Sequence, residues 1–454
     1  MPNRFARITS RLDSLYEYDR EPVAPHQLKT GWQFASLLAG EHVAGTEFVI
    51  GAFFVLHGVS AADLIAGLLA GNLLAVLSWT FICAPIAVDT RLTLYWYLRR
   101  IAGPGLTAVY NVANGILYCI LAGAMIAVSA TAIALPLGIR SPALSDVYPT
   151  SAAWVGLTFA IGAAFVTLAI LGFEKLSNFA RVCVPWILVV FVAGALATLP
   201  RLGVHSNFDN FWEIARSRIW NGVPSSGQDH FTVWHVVFFA WFCNLAMHIS
   251  LSDMALFRYA KHWAFGLYSA FGMYPGHMLA WLCSGVMVAG VERQMDPGMM
   301  AAEAAGIAGS VAVVLAGWTT ANPTLYRVGL AFQCVTPNWP RWKVTLIAGL
   351  VTTALSCFPV IVMRLLDYVA IYGLVLMPFG AVVAAEHWLF PRLGIPRYQA
   401  ETKGWVINWP AALVWAGTLV ICFFLPFHLY FRWLPGYVLA LVSYTLLNLK
   451  SRRT

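Results

Sequence analysis

Residues 33–57 read QFASLLAGEHVAGTEFVIGAFFVLH. The stretch is long and apolar enough to cross a bilayer, which takes roughly 20 mostly apolar residues. Its middle, Gly40-Glu41-His42-Val43-Ala44-Gly45-Thr46-Glu47, nevertheless places two carboxylates and two glycines at mid-membrane depth. Carboxylates at that depth are costly and are functional candidates by default. A second apolar stretch, 232–257, is interrupted in the same manner by Asn244, His248, Ser250, Ser252 and Asp253. About two hundred residues and four uninterrupted apolar runs lie between the two breaks. Unwound backbone inside a membrane is tolerated only where it lines a cavity. Breaks at matching positions of two five-helix halves point to a secondary transporter built as an inverted repeat. The expected fold is therefore an all-α integral membrane protein with a five-plus-five inverted-repeat core and broken first and sixth helices.

Composition agrees. Of 454 residues, 60% are apolar and 11% charged, and the mean hydropathy is +0.71. Soluble domains carry about a quarter charged residues, so a water-soluble enzyme and a disordered chain are both excluded. Twelve spans are expected, near 33–57, 62–88, 106–136, 151–173, 181–200, 232–257, 264–290, 306–331, 344–363, 367–389, 409–430 and 434–449. With both termini in the cytosol, 21 of the 28 basic residues fall on the cytosolic side, Arg258, Arg327, Arg341 and Lys343 among them. The other side keeps Arg140, Arg201, Arg216, Arg218, Arg293, Arg364 and Arg432. That bias satisfies the positive-inside rule. It also accounts for the net charge of +8 without invoking nucleic acid. The polar segment 1–31 reads as a cytosolic tail rather than a signal peptide. The core is then 32–390, and 391–454 holds two accessory helices and a short cytosolic tail. The eight cysteines form no CxxC and no zinc or haem motif. The loop 201–231 contains FWEIARSRIW, expected as an interfacial helix with Trp212 and Trp220 toward lipid.

Several residues could carry chemistry. Ala316-Gly317-Trp318-Thr319-Thr320 sets two adjacent hydroxyls in the eighth span. With carbonyls from the unwound first span these are hard donors suited to Na⁺, although each threonine could equally bond its own helix backbone. Trp241, Asn244 and His248 recur at i, i+3 and i+7 and would share a face of an unbroken helix. Glu41 is expected inside the first break, binding a donor edge of the substrate or a proton. Glu47 is a weaker candidate, with His42 a partner to either carboxylate. His57, His277, His387 and His428 are expected to be structural. The small-residue patterns at Gly67–Gly71 and Gly272–Gly276 are expected to be helix-packing sites. Asp89 with Arg91, and Arg258 with Lys261, are expected as solvated loop charges at the cytosolic mouth.

The run W-T-T-x-N-x-x-L-Y-x-x-G-L from Trp318, followed by a basic loop and Lys343-Val344-Thr345-Leu346-Ile347-Ala348-Gly349, resembles the eighth and ninth spans of the nucleobase:cation symporter-1 family. That family includes cytosine, uracil, allantoin and hydantoin permeases. Gly71-Asn72-Leu73-Leu74 with Thr90-Arg91-Leu92-Thr93 resembles its second span and the loop after it. Arg258-Tyr259-Ala260-Lys261 resembles the end of its sixth, and Pro378 to His387 its tenth. The resemblance covers roughly 32–390. It implies a fold of the APC-superfamily type, a flat heterocycle bound between spans one, three, six, eight and ten, and a cation between spans one and eight. Carried over, it makes Gly40, Val43, Ala316, Thr319 and Thr320 the cation-binding residues. It makes Glu41, Tyr118, Trp241, Asn244 and His248 the substrate-binding residues, with Tyr118 where the family keeps a stacking aromatic.

The function expected is Na⁺- or H⁺-coupled symport of a nucleobase or related N-heterocycle, in the plasma (inner) membrane. No other cofactor, no enzymatic activity and no nucleic-acid partner is expected, and the protein is expected as a monomer or weak dimer in the lipid bilayer. Fold does not fix cargo, so an amine, a vitamin precursor or an amino acid is the competing reading. A polytopic membrane enzyme or haem protein is a remote one, since no haem-ligating motif accompanies His42, His235 or His248. No GxxxxGK[ST] loop supports ATP-driven pumping.

Overall fold

The computed structural model describes residues 10, 12–142, 146–290, 297–358 and 365–451. The expected end of the ninth span and the basic residues Arg4, Arg7, Arg11, Arg293, Arg364, Arg452 and Arg453 lie outside them.

The first expected span is two helices, α1 (Gly31–His42) and α2 (Glu47–Leu56), bent by 53° across a four-residue break. Thr30 and Gln33 form a capping box at the start of α1, satisfying orphan backbone donors. Then follow α3 (Ala61–Thr90), α4 (Leu94–Ala102), α5 (Pro104–Ala134), α6 (Ala152–Ile170) and α7 (Phe173–Leu202). The sixth span is in pieces: α8 (Val233–Phe242), α9 (Leu245–His248) and α10 (Met254–Phe257). The seventh passes through a π-helical stretch, Gly272–Met278, into α11 (Leu279–Ala289). The rest are α12 (Pro297–Gln333), α13 (Arg341–Ser356), α14 (Leu365–Ala384), α15 (Trp409–Phe424) and α16 (Trp433–Asn448). Helical segments lie within the described part of each expected span, but the count of twelve membrane crossings is not established by them. By length and apolarity five described helices qualify to cross a bilayer, and six if the bent pair is one span.

The packing is that of two halves exchanged by a pseudo-two-fold. α8 lies on α3, and in the swapped sense α11 lies on α2. α1 packs on α7 as α9 packs on α14. α12 lies along α5, and α13 along α6, each joining equivalent members of the two halves. α15 and α16 pack against each other and on α14. Gly67 and Gly71 of α3 permit the α8 contact, since a Cβ on Gly71 would sit 2.4 Å from the Val237 carbonyl oxygen. The small-residue pattern there is a packing device, as expected.

The interfacial expectation for 211–220 holds in part. Phe211–Ile214 is a short helix and Trp212 is 53% exposed, but Trp220 is only 4% exposed. Its ring packs against Gly285 of α11 instead of facing lipid. The charge assignment needs a larger correction. Arg258 and Arg327 are fully buried, and Arg341 almost so. Arg327 lies within α12 rather than in a loop. Arg258 bonds the Ala255 carbonyl at 3.0 Å and the Tyr326 hydroxyl at 2.9 Å, with the Tyr18 carbonyl oxygen at 2.5 Å. Arg91 donates to the carbonyls of Ala260 and Arg258, and Asp89 pairs with His387 at 3.2 Å. Arg91, Arg258 and Arg341 thus bind backbone carbonyls instead of standing free in solvent, whereas Lys261 is exposed and Asp89 largely so, as expected.

Candidate functional site

The two breaks face one another across a small central cavity of about 60 Å³. Its wall comes from both halves of the first span (Glu41, Ala44, Thr46, Glu47), from Leu121 of α5, and from Cys243, Asn244, Ala246 and Met247 at the sixth-span break. His277, Thr320 of α12 and Tyr372 of α14 complete it. A water needs roughly 10–15 Å³ measured in this way, so a few waters fit, whereas ligand sites usually span about 300–1,000 Å³. The cavity is therefore too small for a drug-sized ligand in this structure.

The first break is held against α12. Helix α1 ends at His42, so Glu41 is in its last turn, one residue before the break. Gly45 allows the close approach, with Val313 and Gly317 of α12 beside it. Thr320 Oγ donates to the Glu41 carbonyl at 3.1 Å and to its own Ala316 carbonyl at 3.0 Å. Thr319 bonds within its own helix, to the Leu315 and Ala316 carbonyls at 3.0 and 3.1 Å. Gly40 lies against Thr319, where an added Cβ would sit 3.4 Å from the threonine Cβ. Val43 and Ala316 share one buried cluster. The structure therefore sets Gly40 beside Thr319, and the Ala316 carbonyl accepts from both threonines, while Val43 is placed with them only as a member of the same large buried cluster. Their hydroxyl and carbonyl oxygens are the hard, neutral donor set that suits Na⁺.

At the sixth-span break, Leu251 adopts φ of 67°, a left-handed conformation that non-glycine residues rarely take. Gly380 of α14 lets the unwound backbone pass, since a Cβ there would sit 1.9 Å from the Ile249 carbonyl oxygen. His248 Nε2 bonds the Trp241 carbonyl at 3.0 Å, satisfying an orphan carbonyl at the end of α8.

Glu41 is not free to read a substrate. It receives a bidentate pair from Arg327, whose Nη2 also meets Asp253 Oδ1. The Trp79 indole N–H donates to the other Asp253 oxygen at 2.6 Å. The guanidinium lies 5.8 Å from the centroid of the Tyr118 ring. The three charged groups are buried, and together they carry one net negative charge.

The expected face of Trp241, Asn244 and His248 does not exist, because the helix breaks between its members. Asn244 lines the cavity with its amide nitrogen unpartnered. Trp241 turns away, donating to Ser78 Oγ at 2.9 Å and packing edge-on against Trp433. His248 serves the break. Tyr118 is buried behind the wall, 5.0 Å from the Tyr372 ring, and Tyr372 is the aromatic that reaches the cavity. His42 pairs with neither carboxylate. Its ring packs edge-on against Trp79 and His277.

Residues unsigned in the sequence reading are also present. His277, expected as structural, lines the cavity with its Nε2 3.8 Å from Glu47 Oε1. Trp281 donates its indole N–H to Glu47 Oε2. The π-helical stretch that carries His277 was a signal only the fold could give. Arg327 was visible as an arginine within the limits of the eighth span. Among the described residues no group of three or more His, Cys, Asp or Glu is placed to hold a metal ion.

Comparison with known proteins agrees with this architecture. No family model and no curated protein matches the sequence. Among solved structures, Mhp1, a nucleobase-cation-symport-1 family transporter in a closed conformation with bromovinylhydantoin bound, superposes with a TM-score of 0.74, at 16% identity over 95% of both chains. Mhp1 in an inward-facing conformation gives 0.70 at 14% identity, over 96% of this chain and 94% of that one. A Na⁺-coupled sialic acid symporter in a substrate-bound, outward-open state gives 0.67 at 12% identity, over 97% and 96%. The chain has the fold of these membrane transporters, with broken first and sixth helices.

Proposed function

We propose that this chain is a secondary transporter of the nucleobase-cation-symport-1 type, coupling a cation to the import of a nucleobase or related small N-heterocycle by alternating access. It is a carrier and not an enzyme. One observation carries the reading: the last turn of α1 rests on Thr319 and Thr320 of α12, Thr320 bonding the Glu41 carbonyl, beside a cavity walled by both breaks. Fold neighbours that are symporters support it. Cation binding at Gly40, Val43, Ala316, Thr319 and Thr320 ties the first span to α12 and sets the cavity's shape. The ring stacks on Tyr372, with Tyr118 behind it, and Asn244 reads its edge. Trp241 and His248 take no part in binding. The bundle of α1–α3 and α8–α11 then rocks against α5, α6, α12 and α13. The working unit spans 32–390, with 1–31 a cytosolic tail and 391–454 accessory, in the inner membrane with both termini cytosolic.

The test is a thermal-shift screen of the purified, detergent-solubilised protein. Nucleobases, hydantoins, pyrimidine precursors and amines are each added in Na⁺ and in choline. A ligand that binds only the folded state raises the midpoint. A heterocycle that stabilises more in Na⁺ is the expected result. A shift by amines or amino acids alone would overturn the cargo assignment and leave the fold standing.

A further inference from the structure

Two sets of carboxylates border the cavity, and only one of them has a cationic partner among the described residues. Glu41 and Asp253 share Arg327, which leaves one negative charge there, and a Na⁺ bound at α1 and α12 would cancel it. Glu47 stands apart. It is buried, it lines the same cavity, and among the described residues no lysine or arginine pairs with it. An ionised carboxylate without a cation is among the most costly groups to bury.

We propose that Glu47 is a proton-binding site of the carrier, holding a proton on its carboxyl group, against His277, while the cavity is occluded. The geometry is specific. Trp281 donates to Oε2, so that oxygen is an acceptor. Oε1 faces His277 Nε2 at 3.8 Å, within ion-pair range and beyond direct hydrogen-bond distance. His277 Nδ1 has no partner. Its ring is fixed by stacking on Trp281, with centroids 4.5 Å apart.

The elements packed against Glu47 present few other ionisable groups. The seventh span presents His277 with Trp281 and Ser284, whose hydroxyl donates to the Glu47 backbone carbonyl. The sixth presents Cys243 and the neutral Asn244, and α14 presents Tyr372. Helix α1 presents His42, 4.9 Å from His277 ring to ring, and Glu41, which is tied to Arg327. Helix α12 presents the neutral Thr320. No lysine or arginine faces Glu47 among the described residues, so its charge is balanced from within by a proton, held on the carboxyl group or on the facing imidazole of His277.

The site sits wholly in the bundle, so it travels with the bundle when the bundle rocks. Opening the cavity admits water, which solvates the carboxylate and lets the proton leave. Closing it on an ionised Glu47 is disfavoured. The inference rests on the carrier reading and adds a proton to its coupling ions.

The test reads the proton directly. Infrared titration of the purified full-length protein, from about pH 5 to about pH 9, follows the carbonyl stretch of protonated carboxyl groups. In the wild type a band persisting at neutral pH is expected, and it is absent in Glu47→Gln. Should Glu47→Gln fail to fold, His277→Gln carries the test, since losing the imidazole must move the pH at which the band disappears. A neutral-pH spectrum unchanged by Glu47→Gln, or a titration unmoved by His277→Gln, would overturn the proposal. The ligand screen decides the carrier reading separately, so either can fail alone.

Discussion

Replacing Arg327 by methionine removes the one cation that serves both Glu41 and Asp253. Methionine keeps much of the stem but none of the five donors. Two buried carboxylates would then face each other unpaired, and the contact of the guanidinium over the Tyr118 ring would go as well. Removing one partner of a buried pair costs about 3–5 kcal/mol, a large share of a typical total of about 5–15 kcal/mol. Membrane carriers often unfold irreversibly, so the useful readout is unfolding half-life in detergent at fixed temperature. A loss of about 3 kcal/mol expressed in the unfolding rate shortens the half-life by roughly two orders of magnitude. Arg327→Lys keeps the charge but loses the bidentate fork and falls between. The triple variant Arg327→Met, Glu41→Gln, Asp253→Asn removes all three charges together, and replacing a whole buried triad is often near neutral, so most of the loss is recovered. The reasoning is refuted if Arg327→Met unfolds within about threefold of the wild-type rate, or if the triple variant is no more stable than the single one.

Thr319→Ala with Thr320→Ala should weaken Na⁺-dependent stabilisation by tenfold or more in apparent Na⁺ affinity, about 1.4 kcal/mol, while a heterocycle's shift survives at saturating salt. A Na⁺ titration of the melting midpoint reads both. Asn244→Ala should cost ligand binding about tenfold, whereas Trp241→Phe should cost stability about 0.6 kcal/mol for its bond to Ser78 and leave ligand binding unchanged. Ligand-dependent melting separates the two, and equal effects on binding would restore Trp241 to the site. Gly380→Ala should destabilise by about 1–3 kcal/mol, because its Cβ would strike the Ile249 carbonyl; a wild-type half-life would show that the break can yield. Cys243 lines the cavity, so its alkylation, resolved by mass spectrometry, should be slow in the occluded form and faster in the Arg327 triple variant.

The architecture was legible because a bilayer imposes simple rules. Apolar length marked the helices, and polar residues where none are affordable marked both breaks to within a few residues. The packing of α3 on α8 was readable from Gly67 and Gly71. What failed were inferences that needed the breaks' geometry. The i, i+3, i+7 face of Trp241, Asn244 and His248 presumes a continuous helix, and the chain unwinds between them. Arg327 reads from sequence only as a cytosolic-side charge near the end of the eighth span, because its partner Glu41 lies 286 residues away and no local pattern announces such a pair. Tyr372 and His277 carried no motif, since their roles arise from where α14 and the π-helical stretch pass.

Glu41 and Glu47 show how much the break itself decides. They are six residues apart, on either side of a 53° bend, and both reach the cavity. Glu41 points at α12, a member of the framework, and through Arg327 is joined to Asp253 beside the sixth-span break. Glu47 points at His277 and Trp281, within the bundle that carries it. When the bundle rocks, these two arrangements cannot behave alike. The Glu47–His277 pair moves as one body and keeps its geometry. The triad spans the moving boundary, with its arginine on one side and both carboxylates on the other, so opening there must draw three buried charges apart. That separation is affordable only if water reaches the guanidinium and the carboxylates as they part, because desolvated charges separating in a low dielectric lose far more than solvated ones. On the carrier reading, the triad would resist opening when dry and give way when wetted, and the access of water to Arg327 would set the height of that step.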